Sequence, residues 1–125
     1  MKANKRAIAT ATVTAMLGAA MCHTHAMAAR PKYWVDTFQN APGYSSPTDW
    51  RDRVPKTGTL YAGTSYVYCK IEGPVVSDSQ GQHNKYWLYT DLDTGAVEQW
   101  VSAYFRSRWG NDVAKDNSGR VIPNC

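Results

Sequence analysis

Two cysteines, one histidine and a few clustered carboxylates are what could do chemistry in this chain once an N-terminal leader is set aside. Cys69 beside His83 could be imagined as a thiol nucleophile and its base, but pairing Cys69 with Cys125 would consume the thiolate such catalysis requires. A Gly-x-Ser-x-Gly turn for a serine nucleophile is absent from the sequence. Asp91, Asp93 and Glu98 gather carboxylates around Thr94-Gly95, a fragment of the oxygen-rich geometry that calcium prefers. A calcium loop needs about six or more oxygens, so the segment reads first as a hairpin turn, and Asp112, Asp116 and Asn117 read likewise. Two thiolates and one imidazole match no zinc spacing, and paired acids for glycoside cleavage need a cleft that a small domain rarely builds. These residues call for no enzyme, no metal and no cofactor.

The leader itself is the clearest address. Lys2, Lys5 and Arg6 precede a stretch from Ala7 to Ala29 without a charge, which is the form of a secretory signal peptide over residues 1–28. Its apolar part, Ala7 to Met21, is diluted by Thr10, Thr12 and Thr14 and falls short of the roughly 20 residues of a membrane span. Cleavage is expected after Ala28, at Ala26-Met27-Ala28; lipid attachment at Cys22 is a weaker reading, because the bulky Met21 precedes it. Removing three leader cations from 14 Lys+Arg leaves 11 against 10 Asp+Glu, so the basic character belongs largely to the leader. The mature chain lacks the cationic excess that nucleic-acid binding needs. The expectation from the leader is a secreted, extracellular chain, free of the membrane after cleavage.

Residues 29–125 suffice for one domain and are too few for two. All five Trp, eight Tyr and two Phe lie in this part, a density that serves both to fill a small core and to line a binding face. Cys69 and Cys125 form an even pair in an oxidising compartment, and one disulfide is the first reading; free thiols or an intermolecular bridge are the alternatives. Such a bond would tether a C-terminal tail that starts near residue 108.

The elements that must position these groups read as short strands between turn residues, an all-β chain. Strands are expected at Lys32 to Phe38, Thr57 to Ala62, Ser65 to Ile71, Lys85 to Asp91 and Val97 to Val101, the last two forming a hairpin through a tight turn at Asp93-Thr94-Gly95. Asn40 to Pro55 reads as a long irregular loop, and the polar run Ser77 to Asn84 as another. In Ser65 to Ile71, alternation puts Val67, Cys69 and Ile71 toward the core and Tyr66, Tyr68 and Lys70 outward. Ser102 can cap one short helical turn through Phe105, and Val121-Ile122-Pro123 can add a final edge strand.

Three segments of this pattern resemble bacterial SH3-like domains: Gly58 to Tyr68 as a second strand and turn, Gln99 to Phe105 as a closing aromatic-Val strand and helical turn, and Asn40 to Tyr44 as a first irregular loop. The resemblance covers about Tyr33 to Ser107. The usual Asn-Val-Arg-Ser-Gly-Pro opening is replaced by Asp36 to Pro42, and Asp49 to Lys56 looks like an insertion. With the cysteine pair and Trp109 to Asp112, the chain looks most like the small secreted SH3-like proteins of actinomycetes. The resemblance implies a barrel of about five strands and a monomeric, non-catalytic binding module for cell-wall peptidoglycan or a peptide, extracellular or associated with the cell wall and partnered by a wall peptide or an extracellular protein. It also implies a ligand groove, which on this chain singles out Tyr44, Trp87, Trp100 and Tyr104, with Tyr86 in place of Trp87 if the register slips by one residue. A freely diffusing effector or inhibitor of an extracellular enzyme, using the loop from Asn40 to Pro55, is the alternative. Intact-mass analysis of the exported protein is expected to give a chain starting at Ala29 and two hydrogens lighter than its reduced form; two alkylatable thiols would contradict the pairing.

Overall fold

The structure, a computed structural model, describes residues 30–125, so the leader with its cleavage point and Cys22 lies outside the described residues. Lys32–Cys125 forms one compact unit. The expected all-β class with a disulfide-tethered C-terminal tail is what the structure shows. Among the described residues the strands number eight, in two antiparallel sheets, because the polar and Pro-Gly segments contribute short strands of their own. The first sheet pairs β1 (Tyr33–Thr37) with β4 (Gly63–Val67). The second runs β5-β6-β8-β2-β3-β7 and comprises β2 (Ala41–Tyr44), β3 (Gly58–Leu60), β5 (Cys69–Ser77), β6 (His83–Thr90), β7 (Thr94–Gly95) and β8 (Gln99–Ser102). Hydrogen bonds from Phe38 N to Phe105 O (3.1 Å) and from Ser107 N to Asp36 O (2.8 Å) tie the free side of β1 to the segment that follows β8.

The segment read as one long loop is half ordered into elements. Pro42-Gly43 sits inside β2, and the sheet tolerates it because β2 pairs with β8 only from Gly43 onward, leaving Pro42 no bond to donate on that side. Gly43 is required for another reason: a Cβ there would lie 2.5 Å from a methyl of Leu92. α1 (Pro47–Arg51) follows, with proline pre-setting its first turn, Asp49 near its start and Arg51 at its end, the charge order that a helix dipole favours. Arg53, at φ 63°, turns the chain out of it.

Other boundaries shift for equally local reasons. The expected hairpin exists as the β6–β8 pair, from Trp87↔Ser102 to Thr90↔Gln99. Its connection is wider than a tight turn, because Thr94–Gly95 turns aside to pair with β3 as β7. Gly95, at φ 87°, permits that approach, where a Cβ would lie 2.1 Å from Thr57 O. The predicted alternation in Ser65 to Ile71 fails at Tyr68, where the chain leaves β1 and takes β6 as its partner, Tyr68 N bonding Tyr89 O at 2.8 Å. The phase slips by one residue there. Val67 is buried as expected, but Lys70 rather than Cys69 or Ile71 shares the inward row with Leu88. The short helical turn forms as expected, a 3-10 turn over Ala103–Phe105 whose Tyr104 N donates to Ser102 Oγ at 3.1 Å.

Two apolar clusters make the core. Val35, Val67, Leu88, Ala103, Ala114 and Ile122 form the larger, and Ala41, Leu60, Leu92 and Val101 the smaller. Ala114 and Ile122 come from the C-terminal tail, which is therefore core and strap together. The expected edge strand at Val121 to Pro123 is reduced to two isolated bridges, Val121 with Lys115 and Asn124 with Lys70. Lys70 N bonds Pro123 O (2.9 Å) and Cys125 N bonds Lys70 O (3.0 Å), beside the Cys69–Cys125 disulfide. In the chain-entropy model, closing such a loop stabilises the fold by about 4 kcal/mol.

Asp116, 2 % exposed, organises the turn that leads into this strap. Burial pushes its carboxyl up, but hydrogen bonds from the Ser118 hydroxyl, the Arg120 amide and guanidinium, and the Ser118 amide outweigh it and hold the group below the usual carboxylate range. A folded pKa below the unfolded one contributes stability that is complete above about pH 4 and fades as pH falls through the folded value. Unfolding midpoints measured from pH 6 to pH 2 are expected to fall more steeply for the native chain than for Asp116→Asn, which is less stable at neutral pH and insensitive in that window to this group.

Candidate functional site

Register decides which side chains share a face. Cys69↔Tyr89, Tyr89↔Trp100 and Trp100↔Tyr44 are successive Cα partners across four strands, so these side chains form one row on the outer face. The next row, Lys70, Leu88, Val101 and Gly43, faces the core. Trp87 belongs to the outer face by parity, yet α1 roofs it. Its ring packs 6.1 Å from Trp50 and 6.2 Å from Tyr44, and its Nε1 donates to Pro74 O at 2.9 Å. A Cβ at Gly73 would lie 2.8 Å from the indole, so glycine makes room for it. At 1 % exposure Trp87 is a packing residue, which corrects its placement in a ligand groove. Tyr86 does not replace it, since its ring packs against the larger core cluster with Lys70 Nζ 5.2 Å from its centroid.

Beyond the part of this face that α1 covers runs a chain of rings. Trp34 meets Tyr66 edge-on at 5.4 Å, Tyr66 meets Tyr68 at 5.5 Å, Tyr68 meets Tyr89 at 6.4 Å, and Tyr89 tilts onto Trp100 at 4.7 Å. Lys32 Nζ lies 4.5 Å above the Tyr66 ring. Asp91 sets the geometry: its Oδ2 accepts from the hydroxyls of Tyr66 (2.8 Å) and Tyr68 (2.7 Å), and its Oδ1 from Glu98 N (3.0 Å). Burial first, and then the hydrogen bond to Asp91 and its charge, push the Tyr66 phenol far up, so it remains a donor. Glu98 takes φ 55° and accepts from the Tyr89 hydroxyl at 3.3 Å. Tyr66, at 5 % exposure, is the buried member of this chain; the partly exposed Tyr68, Tyr89 and Trp100 offer ring faces with the Asp91 and Glu98 carboxylates along one margin, an arrangement suited to stacking a ligand and bonding its donors.

The four residues singled out in the sequence thus separate into three places. Tyr44 and Trp100 are register partners, Trp87 is beneath α1, and Tyr104 lines a cavity with Phe38, Asp78 and His83. Its hydroxyl donates to Asp78 Oδ2 at 2.7 Å, which raises the phenol and lowers the carboxyl. His83, read as a solvated turn residue, heads β6 with Nε2 3.3 Å from Asp112 Oδ2 and Nδ1 2.9 Å from Gly81 O. No group of three or more metal-ligating side chains occurs among the described residues. Tyr68, Tyr89 and Asp91 were missed as a site, although alternation in Ser65 to Ile71 places Tyr68 outward; Tyr66, expected outward with it, is buried at 5 % exposure.

No family model, no curated protein and no solved structure matches this chain. The site is therefore read from its own geometry. Trp87→Ala is expected to cost about 3–5 kcal/mol of stability, as for other large buried rings, whereas Trp100→Ala costs less. Chemical denaturation of both variants checks the assignment; equal losses would put Trp100 in the core as well.

Proposed function

We propose that the chain is an exported, non-catalytic binding module of SH3-like character, acting as a monomer outside the membrane on cell-wall peptidoglycan or a peptide. The row of partly exposed rings Tyr68, Tyr89 and Trp100, braced by Asp91 at the Tyr68 hydroxyl, carries the reading. Support comes from the leader, the near-neutral mature charge, and a disulfide compatible with an extracellular location; no helix among the described residues is long and apolar enough to cross a membrane. The ligand face in this reading consists of Tyr68, Tyr89 and Trp100, with Tyr44 at its end, and needs neither cofactor nor metal.

The second reading is a diffusing effector or inhibitor of an extracellular enzyme. What favours it is the run Arg51 to Thr57, exposed throughout, with Val54 44 % exposed. Fractionation separates the two, since a wall module sediments with purified walls and an effector stays in the medium. Changing Tyr89 or Trp100 to Ala is expected to weaken wall binding by a factor of about 30, the scale of losing one anchoring ring. Binding and melting temperature belong on the same samples; unchanged wall binding in folded variants of both would remove the ring row from the ligand face.

A further inference from the structure

Arg106 is a buried cation without a counter-charge. It is 7 % exposed, and no carboxylate among the described residues lies within ion-pair distance of its guanidinium. Its terminal nitrogens donate to Lys115 O at 2.6 Å and to Val113 O, which holds the side chain in place and neutralises nothing. Nε has no hydrogen-bond partner. Burial lowers the guanidinium to about 10, still charged at neutral pH. A desolvated charge left uncompensated is costly and projects a strong field into any space beside it.

Such a space is present. Arg106 lines a cavity of about 280 Å³, near the lower end of small-molecule sites. Arg108 adds a second guanidinium to the lining, its Nη2 3.7 Å from Asp36 Oδ2. The lining's one carboxylate, Asp78, keeps its negative charge against the two guanidiniums, its Oδ2 turned to the Tyr104 hydroxyl and its Oδ1 to the amides of Gln80 (2.8 Å) and Gln82 (3.1 Å). His83 faces Asp112 at 3.3 Å, and Asn111 Oδ1 accepts from His83 N, leaving the Asn111 amide NH2 as a donor. Phe38 and Tyr104, 5.8 Å apart and edge to face, supply the apolar side. Trp109, Gly110 and Asp112, in the segment along one wall, all take positive φ (85°, 80° and 52°).

We propose that this cavity binds a small organic carboxylate, its apolar body against Phe38 and Tyr104 and its anionic end in the field of Arg106 and Arg108. Nε of Arg106 lies beneath the surface, so the anion is held by that field and by the donors of Arg108 and Asn111, with no bond to Nε itself. The proposal is independent of the ring row and survives its failure.

Phenylacetate, titrated into the mature disulfide-bonded chain and followed by amide chemical shifts, is the test, with phenylacetamide as the uncharged match in shape. Phenylacetate is expected to bind saturably, to shift the amides of His83, Tyr104 and Asn111, and to bind at least about tenfold more tightly than the amide. Affinity should fall with added salt and drop several-fold in Arg108→Gln, an exposed position whose change leaves the fold intact. Equal affinity for acid and amide, shifts confined to Tyr89 and Trp100, or no saturation by about 10 mM would each overturn the proposal.

Discussion

The last four residues of the strap, Ile122 to Cys125, hang on Lys70 and its neighbour. The Lys70 backbone N–H and C=O bond Pro123 and Cys125, and its ammonium, inside the fold, reaches Ile122 O at 2.6 Å and Asn124 Oδ1 at 3.0 Å. The neighbouring Cys69 carries the disulfide. Four non-covalent bonds and one covalent bond at two adjacent positions fix the strap, and with it Ile122 among Val35, Val67 and Leu88. The strap in turn presents the Val113 and Lys115 carbonyls that hold Arg106. A lysine with its charge buried is tolerable because the chain's last residues supply the oxygens it needs.

The outer face owes its character to α1. Part of that face is sealed by Trp50 over Trp87, so the fold uses an aromatic residue as ordinary packing there; the rest keeps the same residue types in a row braced by Asp91 and Glu98. Residue type alone does not separate these roles. Trp87 and Trp100 sit in similar strand contexts and differ by what lies above them, a five-residue helix in a segment rich in Pro, Gly and Ser.

That difference explains what could be read from the chain and what could not. The all-β class, the β6–β8 pairing, the Ser102-capped turn and the Cys69–Cys125 tether follow from local signals: alternation, turn residues, a capping serine and an even cysteine count. The helix and β2 were hidden because Pro42, Gly43 and Pro47 carry loop propensities that tertiary pairing overrode. The slip at Tyr68 was hidden because a change of pairing partner leaves no mark in alternation. Of the four candidate ligand residues, Tyr44 and Trp100 are brought together, while Trp87 and Tyr104 part company with them for reasons no spacing encodes: a roof over one and a hydrogen bond to Asp78 on the other. Arg106 gave no sequence signal at all, since burial is what makes an arginine unusual.

The borders of the larger sheet carry a consequence for how anything can attach to it. On one border, β5 is occupied at Lys70 by the strap, and beyond Glu72 a register shift and Pro74 interrupt its ladder. On the other, β7 is two residues long and ends in a glycine at φ 87°. Neither border offers the straight run of open amides and carbonyls on which a foreign strand could extend the sheet. Contact with this sheet must be made through side chains, so specificity is written in ring faces and charges, and its borders are guarded against stacking edge to edge with other copies of the chain.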